Sequence, residues 1–448
     1  LQSTQNNGAA RAIFDDVTLK YNSEYGAKAT VITYGCQMNV NESAKMKKIF
    51  ENLGYEITEN IRESDAIFLN TCTVREGAAT QIYGKLGELM QIKAKRGSII
   101  GVTGCFAQEQ GKELLKKFPV IDIVMGNQNI GRLPQAIENI ENQTEKHVVF
   151  TDHEDDLPPR LDADFGSDQT ASIAISYGCN NFCTFCIVPY VRGRERSVPL
   201  EEIVRDVEQY VKKGAKEIML LGQNVNSYGH DFKNGDTFAR LLTEICKVDG
   251  DFIVRFVSPH PRDFTDDVID VIAKEEKIAK CLHLPLQSGS SQILKRMNRG
   301  YTKEQYLSLA HKIQNRIPGV ALTTDIIVGF PGEMEQDFLD TLEVVREINY
   351  DNAFMFMYSI RQGTRAATMQ EQVPEDTKKE RLQKLMDVQA RCSYKESQKY
   401  QGKVVRVLVE GESKKNRQVL SGRTSTNKIV LFQAPISLKG SFVDVEIY

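Results

Sequence analysis

The chain has 448 residues, 41% hydrophobic and 26% charged with a net charge of −3, a balance that fits a globular protein with room for several cores and excludes a disordered or fibrous one. No run approaches the roughly 18 apolar residues a membrane span needs, and Leu1-Gln2-Ser3-Thr4 opens neither a basic start nor an apolar leader, so a cytoplasmic chain with no membrane partner is expected. Nine cysteines, an odd number, point to metal ligation or free thiols rather than a disulfide framework.

Residues 1–25 are read as a tail. From 26 to 150, apolar runs at 30–33, 66–69, 99–102 and 121–125 alternate with helical patterns such as Met46, Ile49, Phe50 and Leu53, with Gly54 as stop signal. This pattern predicts a parallel α/β sheet. Cys36, Cys72 and Cys105 each follow one of the first three runs, so topology brings them to the edge where the strands' carboxyl ends lie. There they either converge on one ligand or pack as small buried hydrophobes. Gly35 and Gly104 are expected to let the backbone approach a bulky inorganic ligand.

Residues 151–168, with Asp152, Glu154, Asp155, Asp156, Asp162, Asp164 and Asp168 around Pro158-Pro159, form an acidic linker. Six further apolar runs follow, at 172–176, 217–221, 252–257, 279–284, 320–328 and 352–358, with helical patterns between them. They predict a parallel barrel over 169–376 that lacks two of the roughly eight units usual for such barrels. Directly after the first run comes Tyr177-Gly178-Cys179-Asn180-Asn181-Phe182-Cys183-Thr184-Phe185-Cys186. Its three thiols can face one point, but a four-iron cluster wants four ligands, which leaves one iron open for a substrate or cofactor. A zinc knuckle or three unrelated core cysteines would use the same residues differently. His260 and His283 are read as hydrogen-bonded structural histidines.

Residues 377–448 begin in a helix running to about Tyr400 and end in short β-branched stretches at 404–410, 429–432 and 442–447, which predict a small antiparallel barrel. From Lys378 to Tyr448, fifteen Lys and Arg stand against seven Asp and Glu, a net of +8 that leaves −11 for the rest. A basic end on an acidic body suits a polyanion, as does a merely solvated surface.

The Cys-x3-Cys-x2-Cys string with Phe185 before its last cysteine resembles the signature of the radical S-adenosylmethionine enzymes. The longer run from Ile187 to Ser197, with Tyr34-Gly35-Cys36-Gln37-Met38-Asn39 and Asn180-Asn181-Phe182, resembles more narrowly the MiaB-type tRNA methylthiotransferases, and the terminal strands resemble the TRAM module of RNA-modifying enzymes. The resemblance implies a multidomain α/β protein: an N-terminal parallel α/β domain, a partial (β/α)6 barrel and a TRAM β-barrel. It implies a 4Fe-4S cluster on Cys179, Cys183 and Cys186 and a second on Cys36, Cys72 and Cys105. S-adenosylmethionine would be both radical source and methyl donor, with Phe185, Gln223, Ser258, Gln287 and Asp325 as its contacts and Gly332-Glu333 near the adenine.

The implied reaction is methylthiolation at C2 of N6-isopentenyladenosine beside the tRNA anticodon, in a monomer served by an electron donor such as flavodoxin or ferredoxin. Arg192, Arg194, Arg196, Lys414, Lys415, Arg417 and Arg423 are candidates for phosphate contact, the first three alternatively for internal salt bridges. Rival substrates are N6-threonylcarbamoyladenosine in tRNA or an aspartate of a ribosomal protein. Outside the family, the same residues would suit a non-catalytic RNA-binding iron-sulfur protein.

Overall fold

A computed structural model describes residues 26–73, 78–154, 156–160 and 169–448. The expected tail and part of the expected acidic linker lie outside the described residues. The chain divides into two compact units, Leu1–Asp164 with Ile187–Arg194, and Phe165–Cys186 with Glu195–Tyr448. Among the described residues, no helix is long and apolar enough to cross a membrane.

The first unit is built on six parallel strands in the order β2-β1-β3-β4-β5-β6: β1 (Lys28–Tyr34), β2 (Glu56–Ile57), β3 (Ala66–Thr71), β4 (Ile99–Gly104), β5 (Ile123–Met125) and β6 (Val148–Phe150). Helices cover both faces, which is why the central strands read as continuous apolar runs. On one face Met46, Ile49, Phe50 and Leu53 of the helix Gln37–Asn52 pack with Phe68, Ile123 and Met125. On the other, Ile82, Leu86 and Leu89 of Ala78–Arg96 pack with Leu69, Ile100 and Val102. Each fully buried side chain of this size contributes about 1.5–3 kcal/mol. The edge strands β2 and β6 were not foreseen; at two and three residues they are too short to carry a period. Pairing of Tyr34 with Thr71, and of Thr71 with Gly104, aligns the ends of β1, β3 and β4 and fixes where the three cysteines emerge.

The second unit contains the six expected parallel strands: β7 (Thr170–Ala174), β10 (Glu217–Leu221) and β11 (Ile253–Phe256), then β12 (Cys281–His283), β13 (Ala321–Val328) and β14 (Asn352–Met357). A parallel bridge between Val254 and Ile278 carries the third strand onto the approach to the fourth. The first strand ends two residues before its apolar run does. After Ile175 the chain enters β8 (Ser176–Tyr177), which pairs antiparallel with β9 (Arg196–Ser197). Ile187–Arg194, expected in the barrel, belongs instead to the first unit.

The C-terminal segment is a four-stranded antiparallel sheet, β17-β16-β15-β18: β15 (Val404–Glu412), β16 (Leu420–Thr424), β17 (Ile429–Phe432) and β18 (Phe442–Glu446). β16 escaped notice because Ser421, Gly422 and Arg423 break its apolar alternation. The turn after β16 is fastened to the barrel: Arg255, paired with Glu217 at 2.6 Å, donates to the carbonyls of Thr424 and Ser425 at 2.8 and 3.0 Å.

Candidate functional site

In the first unit, Cys36 caps the helix Gln37–Asn52, Cys72 directly follows β3 and Cys105 begins the helix Cys105–Gln110. Cys72 N donates to the Tyr34 carbonyl at 2.9 Å, drawing the first two cysteines together. A hydrogen bond from the Cys72 side chain pulls the Cys36 thiol down to about 5, against its burial. Burial pushes the Cys105 thiol up to about 11. Its sulfur accepts a hydrogen bond from Arg192 Nε at 3.2 Å.

Both glycines here are hemmed in by protein neighbours. Gly104 has φ +92, and a Cβ there would collide with the Thr71 carbonyl and sit 2.6 Å from Asn70 Oδ1. One at Gly35 would run into the Asn39 side chain. That asparagine anchors a buried network: Asn39 Nδ2 donates to Asn70 Oδ1 at 2.9 Å, Asn70 Nδ2 to Ser43 Oγ at 2.9 Å, and Cys36 Sγ lies 3.3 Å from Asn39 Oδ1.

In the second unit, the loop bearing Cys179, Cys183 and Cys186 is held at almost every residue. Gly178, at φ +79, donates N–H to Gln223 Oε1 at 2.6 Å. Thr184 N–H and Oγ1–H donate to the carbonyls of Met297 and Arg296 at 3.1 and 2.9 Å. Asn298 Nδ2 reaches the carbonyls of Asn181 and Phe182 at 3.0 and 3.1 Å. Arg299 Nη1 donates to Cys183 Sγ at 3.3 Å, and its Nε to the Tyr301 hydroxyl at 3.1 Å. Burial pushes the Cys179 thiol up to about 11, so a bound cation is what would hold it as thiolate. Phe185 packs edge-on against Phe330 in a small apolar cluster with Ile293 and Met297.

The strand ends of the barrel carry the other expected residues. Ser258 and Gln287 both have left-handed backbones, φ +62 and +68, a strain that gathers at ligand sites. Gln287 Oε1, with Ser176 Oγ, Asn224 Oδ1 and His260 Nε2, is buried without a hydrogen-bond partner. Four orphaned polar atoms at or just after the carboxyl ends of four successive strands suit a polar cofactor. Gln223 differs from expectation in that its carbonyl is spent on Gly178. Asp325 pairs with His283 Nε2 at 3.2 Å, and His283 Nδ1 lies 3.0 Å from Thr323 Oγ1. Glu333 is buried, with its Oε1 2.8 Å from Arg381 Nη1 and accepting from Gly329 N–H.

Among the residues expected to meet phosphates, Arg192 is corrected: it is 4% exposed and locked to Glu42 at 2.7 Å, which realises the internal salt bridge. Arg423 is tied to Glu410 (Nε–Oε1 2.7 Å), and the neighbouring Lys428 to Asp351 at 2.9 Å. Arg194 is exposed and Arg196 half-buried, while Lys414, Lys415 and Arg417 all project from the loop between β15 and β16. Sequence reading missed Arg299 and Glu42, whose partners lie more than 100 residues away. It also missed Phe354 and Phe356, 52% and 53% exposed, which share a strand face with Asp325 and Ile327 of β13.

Among the described residues no three His, Cys, Asp or Glu side chains close around a single metal ion. The corners of a four-iron cube lie farther apart, and two all-thiol donor sets suit soft iron-sulfur chemistry. A loop of three cysteines after the first strand of an incomplete parallel barrel defines the radical S-adenosylmethionine class.

Comparison with known proteins agrees. Residues 28–126 match the uncharacterized protein family UPF0004, 173–345 the radical SAM superfamily and 398–448 the TRAM domain. The tRNA-2-methylthio-N(6)-dimethylallyladenosine synthase of Fusobacterium nucleatum is 77% identical over 420 residues, 94% of this chain and 97% of that protein. The protein of the same name from Clostridium tetani is 46% identical over 440 residues, 97% of each chain. The chain belongs to the MiaB-type tRNA methylthiotransferase family.

Two solved structures share the fold at 14% identity. The radical S-adenosylmethionine methyltransferase TsrM from Kitasatospora setae has TM-score 0.55 over 76% of this chain and 77% of that one. The cobalamin-dependent radical enzyme OxsB has TM-score 0.52 over 82% of this chain but 56% of its own, so this chain spans little more than half its length.

Proposed function

We propose that the protein methylthiolates C2 of N6-isopentenyladenosine in tRNA, with clusters on Cys179, Cys183 and Cys186 and on Cys36, Cys72 and Cys105. The observation that carries this reading is the presence in one chain of two separate all-cysteine donor sets, one at the first barrel strand and one on a sheet edge. When bound, the two clusters and S-adenosylmethionine supply an electron, a radical source, a sulfur atom and a methyl group.

The chain's own residues position and shield. Gln223, Thr184, Asn298 and Arg299 fix the cysteine loop, so that its three sulfurs need little rearrangement to take up iron. Ser258 and Gln287 offer polar atoms toward S-adenosylmethionine. Phe354 and Phe356 present aromatic surface on which an unstacked base can lie, as RNA loop bases do on protein aromatics. Lys414, Lys415 and Arg417, with Arg194 and Arg196, supply cations for the phosphates, and a small one-electron donor of the flavodoxin or ferredoxin kind is the remaining partner. The division at 26–150, 169–376 and 377–448 belongs to this reading, with Ile187–Arg194 counted in the first unit.

An anaerobic assay offering isopentenylated and threonylcarbamoylated anticodon-loop RNAs side by side tests it. The methylthio product is expected on the isopentenylated RNA alone. Product only on the threonylcarbamoylated RNA, or on neither, would overturn the reading.

A further inference from the structure

We propose that Arg192, held by Glu42, is a positioning residue for a cluster on Cys36, Cys72 and Cys105: its Nε–H bonds the Cys105 sulfur, fixes that ligand and raises the cluster's reduction potential. The inference rests on the reading that these cysteines hold such a cluster.

Arg192 comes six residues after Cys186, in the motif of the other cysteine set, yet it lies in the first unit. It ends the helix Val188–Arg192, and Gly193 turns the chain away with φ +72. Gln128 Nε2 donates to its carbonyl at 2.7 Å, which fixes the backbone. The guanidinium is then used at three nitrogens: Nη1 and Nη2 reach Glu42 Oε1 and Oε2 at 2.7 and 3.3 Å, and Nε points at Cys105 Sγ, 3.2 Å away. Asn39 Nδ2, 3.4 Å from Glu42 Oε2, ties the carboxylate back to the residue beside Cys36.

Both charged side chains are 4% exposed. A buried ion pair roughly breaks even against apolar packing, so stability alone does not account for one placed here. What it does provide is a fixed, charged N–H aimed at a ligand sulfur. Hydrogen bonds to the sulfurs and nearby net charge are what set the potential of an iron-sulfur centre. One added electron places negative charge on the cluster, which a cationic donor favours and the Glu42 carboxylate opposes. Substitutions at the two residues must therefore shift the potential in opposite directions. The buried Arg299 stands in the same relation to Cys183 in the second unit.

The test uses the full chain carrying C179A/C183A/C186A, so that only the second cluster is loaded. The cluster is titrated with dithionite, a one-electron reductant, and followed by electron paramagnetic resonance alongside iron content and circular dichroism. At a fixed potential R192Q is expected to lower the reduced-to-oxidised ratio tenfold, about 59 mV for one electron. E42Q is expected to shift it the other way, and R192K, which keeps the charge but not the fork, to fall between. Unmoved midpoints in R192Q and E42Q with iron retained, or shifts of the same sign, overturn the role of Arg192. If R192Q takes up no iron, the sign of the E42Q shift decides. A parent without iron overturns the cluster itself, and the role of Arg192 with it.

Discussion

Replacing Gly104 by Ala puts a methyl group where the strand end meets the candidate cluster edge. Gly104 sits at φ +92 and ψ −165, a conformation essentially closed to other residues, and forcing Ala into it costs about 1–3 kcal/mol. The new Cβ would also collide with the Thr71 carbonyl and lie 2.6 Å from Asn70 Oδ1. Because these atoms belong to the pairing of β3 with β4 and to the buried asparagine network, neither yields cheaply, and overpacking adds about 1–3 kcal/mol. The total, about 2–6 kcal/mol, is comparable with the whole stability of many domains. With no Trp in the chain, urea unfolding is best followed by far-UV circular dichroism. Gly87→Ala is the control: in an exposed helical position with nothing within 4 Å of its Cβ, it should gain about 0.4–1 kcal/mol. G104A should also lower the iron held by the C179A/C183A/C186A chain, since Cys105 is the next residue. A G104A protein within about 1 kcal/mol of its parent and with its iron intact would show that the position tolerates a side chain.

Burial raises the Glu195 carboxyl to about 7 from the usual 4.5. Folding thus favours its protonated form, so the penalty for ionising it is absent below pH 4.5 and grows to about 3 kcal/mol as pH rises through 7. Urea midpoints at pH 5 and pH 8, chosen about either side of that window, should diverge in the parent more than in E195Q, and parallel profiles would defeat the claim. Reversing Lys414, Lys415 and Arg417 to Glu should weaken anticodon-loop RNA binding and flatten its salt dependence by about 0.7 per lost contact, read by fluorescence anisotropy. An unchanged slope would remove these residues from the interface. Phe354→Ala should weaken binding of the same RNA by about 1–3 kcal/mol if a base stacks there, whereas an unaltered Kd would show that none does.

The alternation of apolar runs with helical patterns made the two parallel sheets readable, because strands buried on both faces cannot hide their hydrophobicity. The cysteines were equally legible, since their positions after strands follow from topology alone. β16 was not, because Gly422 and Arg423 lack a strand's pattern and hold their place by pairing with Leu408 and Val409 of β15. Arg192 was misassigned for a related reason. A charged residue in a basic motif reads as surface until its partner is seen, and Glu42 lies 150 residues earlier. Gly104 was recognised as special, but its close packing against Thr71 was not legible. Local signals reported which residues are unusual; only the packed structure shows what each one touches.

In the proposed reaction one cysteine set generates the radical and the other supplies the sulfur. This is tested most directly by incubating the reduced, reconstituted chain anaerobically with S-adenosylmethionine and isopentenylated anticodon-loop RNA, and measuring 5′-deoxyadenosine and methylthiolated RNA together. C36A/C72A/C105A should still release 5′-deoxyadenosine but make no methylthio product, and C183A should make neither. Methylthiolated RNA from C36A/C72A/C105A, or 5′-deoxyadenosine from C183A at the parent's rate, would overturn this division of labour.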